Sequence, residues 1–551
     1  MKDTDEFSCF ARTVLEKKYA HQRGVSKETW SQIAHRVAKN VMGVVNCDDE
    51  LIIEIARAIE QRKFMPGGRY LAAAGRQFHQ TQNCFLFRVD DSREGWADLL
   101  YKSSMSLMSG GGVGCNYSLL REEGAPIKKT GGTASGPVAL MQMVNESGRF
   151  IRQGGDRRAA IWAGLNWKHH DILKFIDLKD WTPEIRDMKK RDFNFPAPMD
   201  CTNVSVGLDD EFFEALYHTK HKLHEHAQEV YRRTLEHMLR TGEPGFLIDT
   251  GKNSGEDLRN ACTEVSSADD SDVCNLGSVN MARIVSLDEM KRVVELATIF
   301  LLAGTVYSDL PFEEMQIVRA KNRRIGLGLM GLHEWLLVHG YKYGQCDELK
   351  GYLDLYRDVS DETAEKHAKK WKLNTPVKRR AIAPTGTIGI VAETTTGIEP
   401  IFCVAYKRRY LDGKEWKYQY VVDPTAKRLI DEMKIEPEKI EDALVLAGDV
   451  ERRVAFQAWV QNWVDHGIAS TINLPSWDSE LNNSKRVKPF GEMLLKYLPK
   501  LRGLTVYPDG ARSGQPLTPV KYETAMKHEG EVFLEMADIC RISGRGGSCG
   551  E

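Results

Sequence analysis

From residue 79 to a last strand-like run at 503–508, short apolar stretches bearing glycine alternate with long segments of helical period. No internal repeat or low-complexity linker interrupts them. Such alternation predicts helices packed on a largely parallel sheet, an α/β class. Near the N-terminus, TWSQIAHRVAKNVMGVV and ELIIEIARAIEQRKF carry apolar residues at three- and four-residue spacing and predict helices, and MPGG (65–68) breaks the pattern. Residues 209–241 read as one strongly helical stretch ending at GEPG, and Ser286-Leu-Asp-Glu289 reads as a capping box before a second long helix. GLTVYP (503–508) reads as a strand. The expected organisation is a helical N-terminal segment (1–75), one large α/β domain (76–525) and a C-terminal helix with a cysteine-bearing tail (526–551).

The 551 residues are 42% hydrophobic and 28% charged, with a formal net charge of −2. A near-neutral balance gives no footprint for nucleic acid or a membrane surface. No apolar run reaches membrane-spanning length, and MKDTDEFSCFARTVLEKKY lacks the apolar core of a signal peptide. Eleven cysteines are spread over the chain with no CxxC among them, which predicts reduced thiols, a cytoplasmic setting (a host's, if the chain is viral) and no structural metal site.

Four stretches carry chemistry-bearing residues. Asn260-Ala-Cys262-Thr-Glu264 is a surface turn with an incidental thiol, or a sulfur set beside a base. If these residues formed a strand, the side chains of 260, 262 and 264 would share one face. SGGGVGCNY (109–117) is a tight turn or a loop that lets a ligand approach the main chain. Thr385-Gly386-Thr387-Ile388 would offer hydroxyl and amide groups to a phosphate if a helix starts there, yet it fits neither GxxxxGK[ST] nor GxGxxG. RQGGDRRAA (152–160) is a solvated basic turn or an arginine loop suited to phosphate.

These stretches occur together with QNCFLF (82–87), DVCNLGSVN (272–280), RRIGLGLMGL (323–332), GIEP (397–400), TINLP (471–475) and GLTVYPDGARSGQPL (503–517). In that order they resemble the catalytic, large subunit of ribonucleotide reductases. The resemblance implies a ten-stranded α/β barrel of two five-stranded half-barrels with a finger loop through its centre. It places Cys262 at the loop tip as the thiyl radical that takes the ribose 3′-hydrogen, Glu264 as general base and Asn260 as a grip on the ribose hydroxyls. It matches Cys84 and Cys274 to the pair that supplies two electrons and ends as a disulfide. It also implies that Asn83 and Gly112 contact substrate near the ribose, and that Thr385, Gly386, Thr387 and Ile388 hold its phosphates. Gln153, Gly154, Gly155, Arg157 and Arg158 match the loop linking an effector nucleotide to base selection, with Asp91 and Arg121 in the effector site. Cys540 and Cys549 match a tail pair that re-reduces the disulfide.

The family's classes differ in radical source. Where one class has two adjacent tyrosines, TVYPDGAR has Tyr507 followed by Pro508. This resembles the adenosylcobalamin-dependent class, although that class has NPCGE where this chain has NACTE. The alternatives are a large subunit that needs a metal-carrying small subunit, and an inactive nucleotide-binding relative. Partners implied are a ribonucleoside di- or triphosphate, a deoxynucleotide or ATP effector, a thioredoxin-like or glutaredoxin-like reductant and a second copy in a homodimer. No segment resembles the family's ATP-cone, so dATP shut-off of that type is not expected.

Overall fold

The computed structural model describes residues 7–153, 157–192, 195–412, 415–511, 517–529 and 531–533. Helix Trp30–Met42 opens on a capping box, the Thr29 hydroxyl accepting from the Gln32 amide and the Gln32 side chain accepting from the Thr29 amide. Helix Asp49–Glu60 opens on Asp48, whose carboxylate accepts from the Leu51 amide. Each buries the apolar stripe read from its spacing, Ile33, Val37 and Val41 on the first, Ile55 and Ile59 on the second.

The strands follow in chain order. β1 (Phe64–Pro66) precedes five parallel strands, β2 (Cys84–Arg88), β3 (Gly112–Asn116), β4 (Ile161–Asn166), β5 (Thr202–Asp209) and β6 (Gly245–Asp249). A short hairpin, β7 (Leu258–Arg259) and β8 (Ser266–Ser267), comes next. β9 (Asp272–Asn280) and β10 (Ile325–Met330) are parallel, and every residue of both is buried. β10 (IGLGLM) has the near-continuous apolar run of a strand covered on two faces, whereas β9 also buries Asp272, Asn275, Ser278 and Asn280. β11 (Thr471–Leu474) and β12 (Gly503–Pro508) are also parallel. The two sets meet antiparallel, β9 on β2 and β12 on β6.

Residues 378–382 carry the ring round between β10 and β11. Ala381 N–H donates to Leu327 C=O at 3.0 Å and Leu327 N–H to Arg379 C=O at 2.9 Å. On the other edge Ile382 N–H donates to Gly467 C=O at 3.2 Å and Ala469 N–H to Ile382 C=O at 2.8 Å. Both contacts are parallel. With this stretch counted, each half of the ring has five strands, as the resemblance implies. β1 lies outside the ring, antiparallel on β9.

Three local readings need amendment. The N-terminal segment is not wholly helical, because Phe64 and Met65 are buried and add β1 to the barrel sheet, with Pro66 at its end. Residues 209–241 form two helices, Asp210–Tyr217 and His224–Thr241. The polar run between them has few apolar residues to bury, and the His221 ring accepts the Leu223 amide there. At Ser286 the cap is half of the expected box: the hydroxyl accepts from the Glu289 amide, while the Glu289 carboxylate takes the Val285 amide and Lys63 instead. GLTVYP is a strand over its whole predicted length. A four-stranded antiparallel sheet that includes Ala405–Asp412 and Glu415–Val422 stands outside the barrel and was not anticipated.

Candidate active site

The β7–β8 hairpin enters the barrel and presents residues 260–265 at its tip. The tip is a turn, not the strand considered above. Thr263 N–H donates to Asn260 C=O at 3.0 Å, and Thr263 takes a left-handed φ of 68°. Asn260 Oδ1 accepts from the Val265 amide at 3.0 Å, so the Asn260 side chain ties the turn from within. Two glycines leave room for the hairpin. A Cβ on Gly114 of β3 would lie 1.8 Å from Arg259 C=O. A Cβ on Gly467 would lie 3.1 Å from Thr263 C=O and 3.2 Å from Glu264 C=O.

The turn faces a cavity of about 310 Å³. Asn260, Cys262 and Glu264 line it, with Asn83, Cys84, Gly112 and Thr385 through Ile388. Tyr19, Gly67, Gly68, Arg69 and Leu276–Ser278 also line it and were not read from the sequence as site residues. Cys84 of β2 stands directly opposite Cys274 of β9. Facing residues of an antiparallel pair put their side chains on one side of the sheet, with Cα atoms about 4.5–5.5 Å apart, inside the range a disulfide spans. Both are free thiols, and the Cys84 Sγ lies 3.9 Å from Glu264 Oε1.

Burial sets the charge states. Glu264 is 1% exposed, and among the described residues no cation pairs with it and Oε2 has no hydrogen-bond partner. Desolvation raises its pKa to about 7, so the carboxyl straddles neutrality. Cys262 opens onto the cavity, yet the surrounding protein desolvates its thiol and pushes its pKa up, with the Glu264 charge adding to this. Burial pushes Cys84 and Cys274 well up as well. All three sulfurs are S–H at neutral pH, beside one group that can take or hold a proton.

Helix Gly386–Ala392 does begin at the threonine-glycine turn. Thr385 takes φ 50°, its C=O accepts from the Gly389 amide at 2.7 Å, and its hydroxyl accepts from the Gly397 amide at 2.9 Å. The first-turn amides of Gly386, Thr387 and Ile388 have no acceptor within the helix and border the cavity.

Other named residues lie apart. Asp91 and Arg121 form an ion pair at 2.7 Å on the surface, and neither lines the cavity. Gln153 and Arg157 pair in a short antiparallel ladder, Arg158 facing Arg152. The chain runs from there to Ala160, a cavity wall residue whose C=O accepts from the Val113 amide. Gly154, Gly155, Cys540 and Cys549 lie outside the described residues. Tyr507 pairs with Asn473 on β11. Leu504 and Val506 enter the outer core, so alternation puts Tyr507 on the barrel's inner face.

A family model described as ribonucleotide reductase, barrel domain, matches residues 82–223, 209–350 and 376–507, and one described as ribonucleotide reductase, all-alpha domain, matches 5–79. The chain is 28% identical over 534 residues to a vitamin B12-dependent ribonucleoside-diphosphate reductase of Thermoplasma acidophilum, covering 85% of this chain and 66% of that protein's length. It is 26% identical over 590 residues to a protein of that name from Mycobacterium tuberculosis, covering 94% and 82%. A ribonucleoside-diphosphate reductase large subunit of vaccinia virus matches at 24% identity, covering 80% and 67%. With its barrel and all-alpha parts both matched, the chain belongs to the ribonucleotide reductase large-subunit family.

Proposed function

We propose that this chain reduces ribonucleotides to deoxyribonucleotides by thiyl-radical chemistry, with adenosylcobalamin as the radical source. The observation that carries the reading is one cavity lined by Cys262, Glu264, Asn260 and Cys84, with Cys274 directly opposite Cys84. Replacing a 2′-hydroxyl by hydrogen needs an activated neighbouring carbon, because hydroxide is a poor leaving group. Cys262 as a thiyl takes the 3′-hydrogen atom and later returns it. Glu264 takes the 3′-hydroxyl proton, a task suited to a carboxyl whose pKa is about 7. Asn260 orients the ribose hydroxyls, and Asn83 contacts substrate near the ribose. The 2′-oxygen leaves as water with one thiol proton, and Cys84 and Cys274 give two electrons as their S–S bond forms. Gly112 leaves space for the sugar, and the 385–388 turn receives phosphate. Turnover requires an external dithiol to reduce the new disulfide, with Cys540 and Cys549 as the relay.

The residues present fit the cofactor. A pocket of about 660 Å³ shares Gly386 with the substrate cavity, and Asn473, the partner of Tyr507, lines it. Phe10, Phe402, Tyr406 and Val421 wall it, with Thr394 and Gln419 also lining it, a surface matched to a flat macrocycle fringed by amides. When bound, adenosylcobalamin supplies homolytic cobalt–carbon cleavage. NACTE in place of NPCGE leaves open a second reading, a large subunit whose radical comes from a metal-carrying small subunit, while the single tyrosine, Tyr507 before Pro508, argues against it.

The test is anaerobic reduction of the four ribonucleotides, as diphosphates and triphosphates, by this protein with a dithiol, an effector deoxynucleotide and adenosylcobalamin. Cobalamin-dependent product is expected and identifies the substrate. Product only after addition of a metal-loaded small subunit would establish the second reading.

A further inference from the structure

The arm of the hairpin that carries Glu264 is fastened to a barrel stretch about 200 positions along the chain. Gly467 N–H donates to Glu264 C=O at 2.7 Å. His466 Nδ1 lies 3.2 Å from the Ser266 amide and accepts its proton. The Ser266 hydroxyl lies 3.4 Å from the same nitrogen, but Glu256 takes its proton at 3.0 Å, so the backbone amide is the donor to the ring. The fastening stretch is itself fixed, His466 N–H donating to Arg380 C=O at 3.0 Å and Gly467 C=O accepting from Ile382 at 3.2 Å. The opposite arm rests against Gly114.

We propose that His466 and Gly467 are positioning residues that hold the main chain on both sides of Val265 and so aim the Glu264 carboxyl at the substrate hydroxyl. The inference rests on the reductase reading and extends it to residues that touch no substrate. His466 is fully buried and must be neutral with its proton on Nε2, since Nδ1 is the acceptor. Burial first, then the charges of Lys378, Arg324, Arg502 and Arg259, hold its pKa well below the usual imidazole value. The clamp therefore stays set across the pH range in which Glu264 titrates. Among the described residues no cation pairs with Glu264, and its carboxyl is held by hydrogen bonding from Asn260 and the Cys84 thiol, the latter at 3.9 Å; the clamp fixes the backbone from which that carboxyl projects.

Three variants of the full chain separate positioning from bulk. His466→Asn keeps a carbamoyl oxygen close to the place of Nδ1, His466→Gln carries its carbamoyl farther out, toward the place of Nε2, and His466→Ala has neither. We expect His466→Ala and His466→Gln to lower kcat by about 100-fold, with KM and equilibrium nucleotide binding changed less than about twofold, and His466→Asn to recover at least about tenfold of the loss. Amide hydrogen exchange over 264–267 is expected to quicken in His466→Ala and His466→Gln and to stay near wild type in His466→Asn. Unchanged kcat, or an equal loss in Asn and Gln, would overturn the proposal, and that contrast survives even if the alanine variant does not fold. The exchange measurement needs no turnover. Should the wild type reduce no ribonucleotide, the reductase reading fails on its own account, while exchange at 264–267 still decides the clamp.

Discussion

Glu264 is held where its charge is expensive, and the expense has a pH signature. Its pKa rises from 4.5 to about 7 on folding. Between those values the folded chain binds more protons than the unfolded one, so stability falls as pH rises through the window and stays low above it. A shift of this size corresponds to on the order of 3 kcal/mol. Glu264→Gln should therefore melt above wild type at pH 8 and level with it below pH 4.5, which thermal unfolding at the two pH values reads directly. The same variant should lose roughly 10²–10⁴ in kcat, because a carboxamide takes no proton. In the wild type kcat should drop as pH falls through about 7. Cys262→Ser should abolish turnover while leaving nucleotide affinity, measured by calorimetry, within about twofold, since oxygen replaces sulfur with little change in shape but holds its hydrogen too tightly for the exchange. A Cys262→Ser enzyme that still turns over would remove the thiyl assignment.

At the scale of elements, the hairpin is a thin structure made rigid by its slot. β7 and β8 pair over two residues each, too little to stand alone in water. Gly114 lets β3 approach the hairpin backbone to a distance no side chain allows, and Gly467 lets the stretch before β11 come into tight contact with it. Gly114→Ala puts a methyl group into Arg259 C=O, and either β3 or the hairpin must move. The expected cost is about 1–3 kcal/mol in urea unfolding, with a larger proportional loss of kcat than of substrate binding. An equally active, equally stable Gly114→Ala enzyme would show the slot to be looser than its geometry. This element also marks a limit of sequence reading. Asn260, Cys262 and Glu264 stand within five positions and were legible, whereas His466 and Gly467 sit in VDHGIAS, where a lone histidine and glycine carry no local pattern.

Over the whole molecule, the N-terminal segment is bound into the barrel rather than appended to it. β1 pairs with β9, and the Tyr70 hydroxyl lies 2.6 Å from the Asn275 amide nitrogen on that strand. Phe64 and Tyr70 both pack on Phe300 of helix Leu287–Tyr307. Tyr19 and Arg69 reach the substrate cavity. A chain lacking residues 1–75 should therefore be insoluble or unfolded by circular dichroism, and adding the 1–75 peptide should not restore turnover. A folded, active 76–551 fragment would show the segment to be separable. Among the described residues no helix is long and apolar enough to cross a membrane.

Alone, the sequence determined the class of fold, because apolar period and strand-helix alternation are local properties that each element carries in its own residues. Through the resemblance it also placed the sulfur-bearing and acidic groups on their motifs. Tertiary structure decided what those groups are to one another. It closed the ring through residues 378–382, set Cys84 opposite Cys274, made a turn of 260–264 and raised the Glu264 pKa by burying it without a cation. Each of these depends on atoms brought together from distant parts of the chain, and desolvation and close backbone approach exist only once the barrel has formed around the loop.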